Sequence, residues 1–224
     1  MNKAFWTTLT LSLSYLALSL LCLVGWGSST PLARVDRYSG GYLGLRFLGS
    51  LHSLLSSRAV FHSKEAMRQW WALDSDPAGP VWVMFLMAAD LAVFLDYGHW
   101  HLVRGLQKPV LQSLGLGLYV VMTTCQIWTD ACLATYFGQK NTESVPMDHG
   151  PFRYVRHPRY AAAMASKVAL ALVFASIVGW ALAAAWVFLL MRKIAREEAH
   201  LQSVFGSTYE AYSQRTARIL PGIY

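Results

Sequence analysis

Between Ala4 and Ala33 the chain carries no charged residue, and the 31 residues from Ala161 to Met191 carry only Lys167. A soluble core cannot hide uncharged runs of this length, whereas one bilayer crossing needs about 20 apolar residues. A single helix over the second run would be about 46 Å long against a hydrocarbon core of about 30 Å, so the pattern predicts a hairpin turning near Gly179 and Trp180. Composition agrees: 55% of the 224 residues are hydrophobic and 14% are charged, well below the charge of an ordinary soluble domain.

Two further apolar runs, about Pro80 to Asp96 and Val110 to Phe137, complete an expected all-α integral membrane bundle of about five transmembrane helices. The first run also has the apolar stretch of a cleaved leader, with Gly27, Ser28 and Ser29 as small residues after it, which is its competing reading. Asp90 and Asp130 fall at depths where an isolated charge is costly and are expected to face the protein interior, a water-filled cavity or an interface. From 34 to 78 the charge rises, and Phe47, Leu48, Leu51, Leu54 and Leu55 repeat at helical spacing opposite Arg46, Ser50, Ser53 and Ser57. That pattern predicts an amphipathic helix over 41–62, lying at the headgroups or packed on the bundle.

The net charge of +7 would suit nucleic acid, but the basic residues sit between apolar runs and form no stripe, so no nucleic-acid partner is expected. On a five-span arrangement, 15 of the 19 Lys and Arg lie in 34–78, 138–159 and 191–224, on one side. The positive-inside rule then places the C-terminal helical tail in the cytoplasm and the N-terminus outside, in the inner membrane of a prokaryote or the endoplasmic reticulum of a eukaryote. Three cysteines without a C-x-x-C encode neither a disulfide scaffold nor a zinc site. His99 and His101 stand two apart with no third ligand nearby, so no metal is expected.

The hairpin brings two unusual segments to one face. His149 to Tyr160 holds Arg153, Arg156, His157 and Arg159 among Gly150, Pro151 and Pro158; arginine forks of this density suit a carboxylate or phosphate. The second segment begins Arg192-Lys193 and places Glu197 and Glu198 side by side on a helix end, about 100° apart, so that one can face a pocket and the other solvent. Cations, a carboxylate and apolar walls together suit a zwitterionic ligand with a nucleoside part.

Gly150-Pro-Phe-Arg-Tyr-Val-Arg-His-Pro-Arg-Tyr160, followed after the hairpin by Glu197-Glu-Ala-His-Leu-Gln-Ser-Val-Phe-Gly206, Tyr209 to Tyr212 and Arg218-Ile-Leu-Pro221, resembles the isoprenylcysteine carboxyl methyltransferase family. It is similar also to the wider set of membrane methyltransferases, which includes phospholipid N-methyltransferases. The resemblance covers roughly 138–221 and implies a division into an N-terminal membrane region, 1–137, and an S-adenosylmethionine-binding region, 138–224. It implies that Gly150, Phe152, Arg156, His157, Pro158, Tyr160, Glu197 and Glu198 build the cofactor site, and that Arg192, Lys193 and Arg196 position the acceptor. The implied reaction is in-line methyl transfer to a lipid or to a prenylated small molecule or peptide, foremost the carboxylate of a prenylated cysteine, with membrane lipids but no obligate protein as further partners. Two departures touch the acceptor and the cofactor: Lys193 stands where the prenylcysteine enzymes carry an arginine, and their upstream histidine falls near Ser144. A phospholipid amine or a thiol as acceptor, or a non-catalytic lipid-binding scaffold, are the alternatives.

Overall fold

A computed structural model describes residues 3–24, 35–60, 88–100, 102–103, 107–137 and 146–222. They form α1 (Lys3–Val24), α2 (Arg37–Val60), α3 (88–95, ending in the π-helical turn Asp96–Trp100), α4 (Pro109–Phe137), α5 (Pro158–Val173), α6 (Ile177–Phe205) and α7 (Ser207–Arg215). Among the described residues there is no strand beyond a single parallel bridge between Val155 and Ala217. Pro109–Leu133 and Ile177–Phe205 are long and apolar enough to cross a membrane. In α6 the uncharged stretch ends at Met191, and the helix continues through a charged segment from Arg192.

The chain divides into two compact units: Met1–Leu54, Asp76–Val121 and Ala165–Ala185 form the first, and Leu55–Ser75, Met122–Met164 and Trp186–Tyr224 the second. α4, α5 and α6 each contribute residues to both units.

Aromatic rings make the core of the first unit. Tyr42 lies 4.6 Å from Tyr119 and 5.4 Å from Phe174, and Phe94 lies 4.9 Å from Phe174, mostly edge to face. Gly115 allows α4 to close on α5, since a Cβ there would stand 2.7 Å from Leu172 Cβ and 2.8 Å from the Val173 nitrogen. One end of this unit is tied by polar side chains. Asp36 caps α2 through the Tyr38 and Ser39 amides (3.1 and 2.8 Å) and accepts the Tyr97 hydroxyl at 2.7 Å. At the same end Gln112 donates to the Val173 carbonyl (3.0 Å), and the Ser176 hydroxyl donates to Asp96.

Three expectations change. The hairpin exists, but its break lies at 174–176, four residues before Gly179. Ala175 takes φ 46 and the Ser176 hydroxyl accepts the Gly179 amide at 3.2 Å, an N-cap that starts α6. Gly179 serves contact instead: a Cβ there would lie 3.0 Å from Ala171 Cα. The helix expected over 41–62 runs from Arg37 to Val60, and its inward face is Ser39, Tyr42, Leu43 and Arg46, whereas Leu48 and Leu51 are exposed. Finally, the Asp36–Tyr97 bond puts the start of α2 and the end of α3 at one end of the unit, where the five-span charge count had them on opposite sides.

Arg46 turns inward because Asp90 is there. Asp90 is 1% exposed and accepts Arg46 at 3.0 Å, the Tyr15 hydroxyl at 3.1 Å, and Lys167. Arg46 also lies 4.6 Å over the Tyr15 ring. The lone lysine of the hairpin is thereby explained, and Asp90 faces the interior as its depth requires. Replacing Asp90 by Ala leaves two cations facing each other in an apolar unit; equilibrium unfolding in detergent is expected to register a loss of about 3–5 kcal/mol.

Candidate functional site

The second unit gathers the two motif segments. After Gly150–Arg153, a short 3-10 turn, Pro158 opens α5 with its fixed φ and its absent amide, both suited to a first helical position. Gly150 has φ 60, and a Cβ on it would stand 2.6 Å from Cys132 Sγ, so its bare backbone serves the approach to α4. Asp130, on the same helix, pairs with Arg159 at 3.3 Å. α6 packs Leu190 and Ile194 against Met164, with Tyr160, Trp186 and Ile219 around them.

Glu198 follows Ile194 by four residues, so it continues the same buried stripe and meets the motif loop. Its Oε1 accepts Arg156 Nε at 2.8 Å and faces His157 Nε2 at 3.3 Å, while its Oε2 accepts Arg218 at 2.7 Å. The Arg156 fork also donates to the Ser213 carbonyl (2.6 Å) and the Thr216 carbonyl. Alongside, the Arg156 amide donates to the Ala217 carbonyl (2.8 Å), the His157 amide to the Arg218 carbonyl (3.2 Å), and the Ala217 amide to the Tyr154 carbonyl (3.2 Å). The C-terminal segment is thus zipped to the motif loop, and Tyr212 adds a hydrogen bond from its hydroxyl to the Phe152 carbonyl at 2.8 Å.

The same unit holds buried side-chain polar atoms with no hydrogen bond among the described residues. Glu197 Oε2, the Tyr209 hydroxyl and Trp186 Nε1 are all buried without a hydrogen bond. Tyr209 is 4% exposed; burial, with the Glu198 charge second, pushes its phenol up to about 12, so it stays a neutral donor. Orphaned buried groups of this kind are costly unless something completes them.

The structure therefore brings Arg156, His157 and Glu198 into one ion cluster, with the Tyr160 ring stacked 5.7 Å from that of His157. Pro158 is buried, Phe152 takes part through its backbone, its amide donating to the His149 carbonyl at 3.2 Å and its carbonyl accepting Tyr212, and Glu197 keeps one oxygen unengaged. The three cations expected to position the acceptor are dispersed: Lys193 Nζ stands 5.8 Å over the Tyr160 ring, Arg192 lies over Phe188 one turn back, and Arg196 is exposed. Sequence reasoning assigned no role to Arg218 or Tyr209. For Tyr209 a signal existed, since Tyr209 and Tyr212 are three apart and share a helix face.

Burial alone would raise the Glu198 carboxyl, but hydrogen bonds from His157 and Arg156, the Arg156 charge and Arg218 outweigh it and hold the group down to about 2. A depressed folded value means stability that is present above the ordinary value of 4.5 and is lost as pH falls from there toward about 2. Hydrogen exchange in detergent is expected to show the amides of Arg156, His157 and Ala217 losing protection over that window. Glu198→Gln is expected to remove the pH dependence and to leave these amides weakly protected throughout.

Residues 110–208 match the sequence profile of a family described as phospholipid methyltransferase. No curated protein and no solved structure matches the chain. The matched stretch runs from the start of α4 through the motif loop and the hairpin to the first turn of α7, so it contains both Arg156-His157 and Glu197-Glu198. The chain is thus similar to that family over 99 of its 224 residues, the part that holds both motif segments.

Proposed function

We infer that the chain is a membrane-embedded S-adenosylmethionine-dependent methyltransferase acting on a lipidic acceptor. The observation that carries the reading is the pair of buried polar atoms without a hydrogen bond at the second motif, Glu197 Oε2 as acceptor and the Tyr209 hydroxyl as donor. Their chemistry fits the cofactor, whose ribose hydroxyls and ammonium need an acceptor and whose carboxylate needs donors. The apolar wall of Met164, Leu190 and Ile194 lies next to Trp186. Bound S-adenosylmethionine would supply an electrophilic methyl group; the protein holds, orients and excludes water. On this reading the paired glutamates divide the work. Glu198 clamps the motif loop to the C-terminal segment, and Glu197 faces the ligand.

The family match favours an amine-bearing phospholipid headgroup as acceptor. An amine must lose a proton to be methylated, so this acceptor requires a base in addition to the cofactor site. The carboxylate of a prenylated cysteine is the second reading, favoured by Lys193 beside Tyr160, and such an acceptor is ionised at neutral pH and needs no base. On either reading the motif face must be reached from the cytoplasm, where the cofactor is found.

Calorimetry on detergent-purified protein tests the site. Glu197→Ala is expected to weaken S-adenosylmethionine binding about 10-fold or more, the worth of one hydrogen bond to a charged group, with an unchanged melting temperature. Tyr209→Phe is expected to weaken it several-fold. Unaltered binding in both variants overturns the site, and absent binding by the wild type in detergent and in lipid favours a non-catalytic scaffold. Labelled methyl donor incubated with phospholipids or with a prenylcysteine analogue identifies the acceptor.

A further inference from the structure

Two glycines on α4 stand two residues apart and have opposite surroundings. Gly115 is required by packing, as its Cβ would strike Leu172 and Val173. A Cβ on Gly117 would meet nothing within 4 Å. Glycine inside a helix costs about 1 kcal/mol relative to alanine, and here no described neighbour demands it. Gly117 lines an open groove of about 630 Å³ in the first unit, walled by Val110 and Leu114, which are 70% and 61% exposed, with Arg37, Tyr38 and Ser113 at its mouth.

The mouth is basic and polar while the walls are apolar. Arg37 is exposed; one of its nitrogens donates to the Tyr38 hydroxyl at 2.9 Å and the guanidinium lies 4.8 Å over that ring, which fixes the fork and leaves further donors. Asp36 is next in sequence, but its oxygens are taken by the Tyr38 and Ser39 amides and the Tyr97 hydroxyl. From Pro109 to Gly117 the helix rises about 12 Å, comparable with one leaflet of a hydrocarbon core about 30 Å thick. A cation at the rim and an open apolar groove running about 12 Å along the helix match an amphiphile with an anionic head.

We propose that this groove binds one anionic phospholipid of the surrounding bilayer, with its phosphate on Arg37 and an acyl chain laid along Gly117. The site is independent of the methyl-transfer reading, because it uses none of the residues assigned to the cofactor or to the acceptor.

Native mass spectrometry of the full chain, released from micelles containing phosphatidylglycerol or phosphatidylcholine, tests it. The wild type is expected to retain one phosphatidylglycerol about tenfold more strongly than phosphatidylcholine, and Arg37→Gln to abolish that preference. A Cβ at 117 meets nothing within 4 Å and leucine raises helix propensity, so Gly117→Leu is expected to keep its melting temperature and lose the retained lipid. Gly44→Leu is the control: Gly44 is equally open, lies on α2 and does not line the groove, so retention is expected to persist. Undiminished phosphatidylglycerol retention by Gly117→Leu, or an unchanged preference in Arg37→Gln, overturns the proposal. So does a wild-type dimer that Gly117→Leu dissociates, which would assign the groove to a second copy of the chain.

Discussion

The carboxylate of Glu198 is the junction on which the second unit depends. It accepts from Arg156, His157 and Arg218, which come from the motif loop and the C-terminal segment, while its own backbone belongs to α6. No apolar contact would substitute for it, because the loop around Gly150–Arg153 and the segment after Thr216 have little regular structure of their own to satisfy their amides. Arg156 completes the arrangement by donating from Nη1 to the Ser213 and Thr216 carbonyls, so one guanidinium closes both segments at once. Groups so committed to one another hold a site in shape, which is why the neighbouring atoms without partners, rather than the charged cluster, point to the ligand.

The first unit meets the opposite problem with the same chemistry. Its core is aromatic and close-packed around Tyr42 and Phe174, yet it contains a carboxylate 1% exposed. Two cations and a tyrosine hydroxyl neutralise that carboxylate, so residues far apart in the chain are held in one register. A buried pair of this kind contributes little net stability over an apolar replacement but is damaging to break, which makes it a specifier of how α2, α3 and α5 meet.

What was legible came from periodicity and length. The uncharged runs foretold α4 and the hairpin within a few residues, because a helix long enough for a bilayer must be apolar over its whole surface. The motif segments were legible because Arg-His-Pro and Glu-Glu carry strong chemistry in few residues. Spacing separated the leucine face of α2 from that of Arg46 but could not say which packs inward, because that is decided by Asp90, contributed by a distant segment. The position of the hairpin turn was misread because Gly179 offered a familiar signal, whereas the break is made by a serine cap and by Ala175 at positive φ.

By itself the sequence determined that this chain is helical and apolar, and that a basic loop and a pair of glutamates lie on either side of a helical hairpin. Those are properties of composition and spacing, which local physics reads directly. Only the tertiary structure decided which glutamate clamps and which keeps an oxygen unengaged, and that Arg218 and Tyr209 belong beside them. The reason is that adjacent residues on a helix differ by about 100° in direction, and which direction is inward depends on a partner contributed by a distant segment.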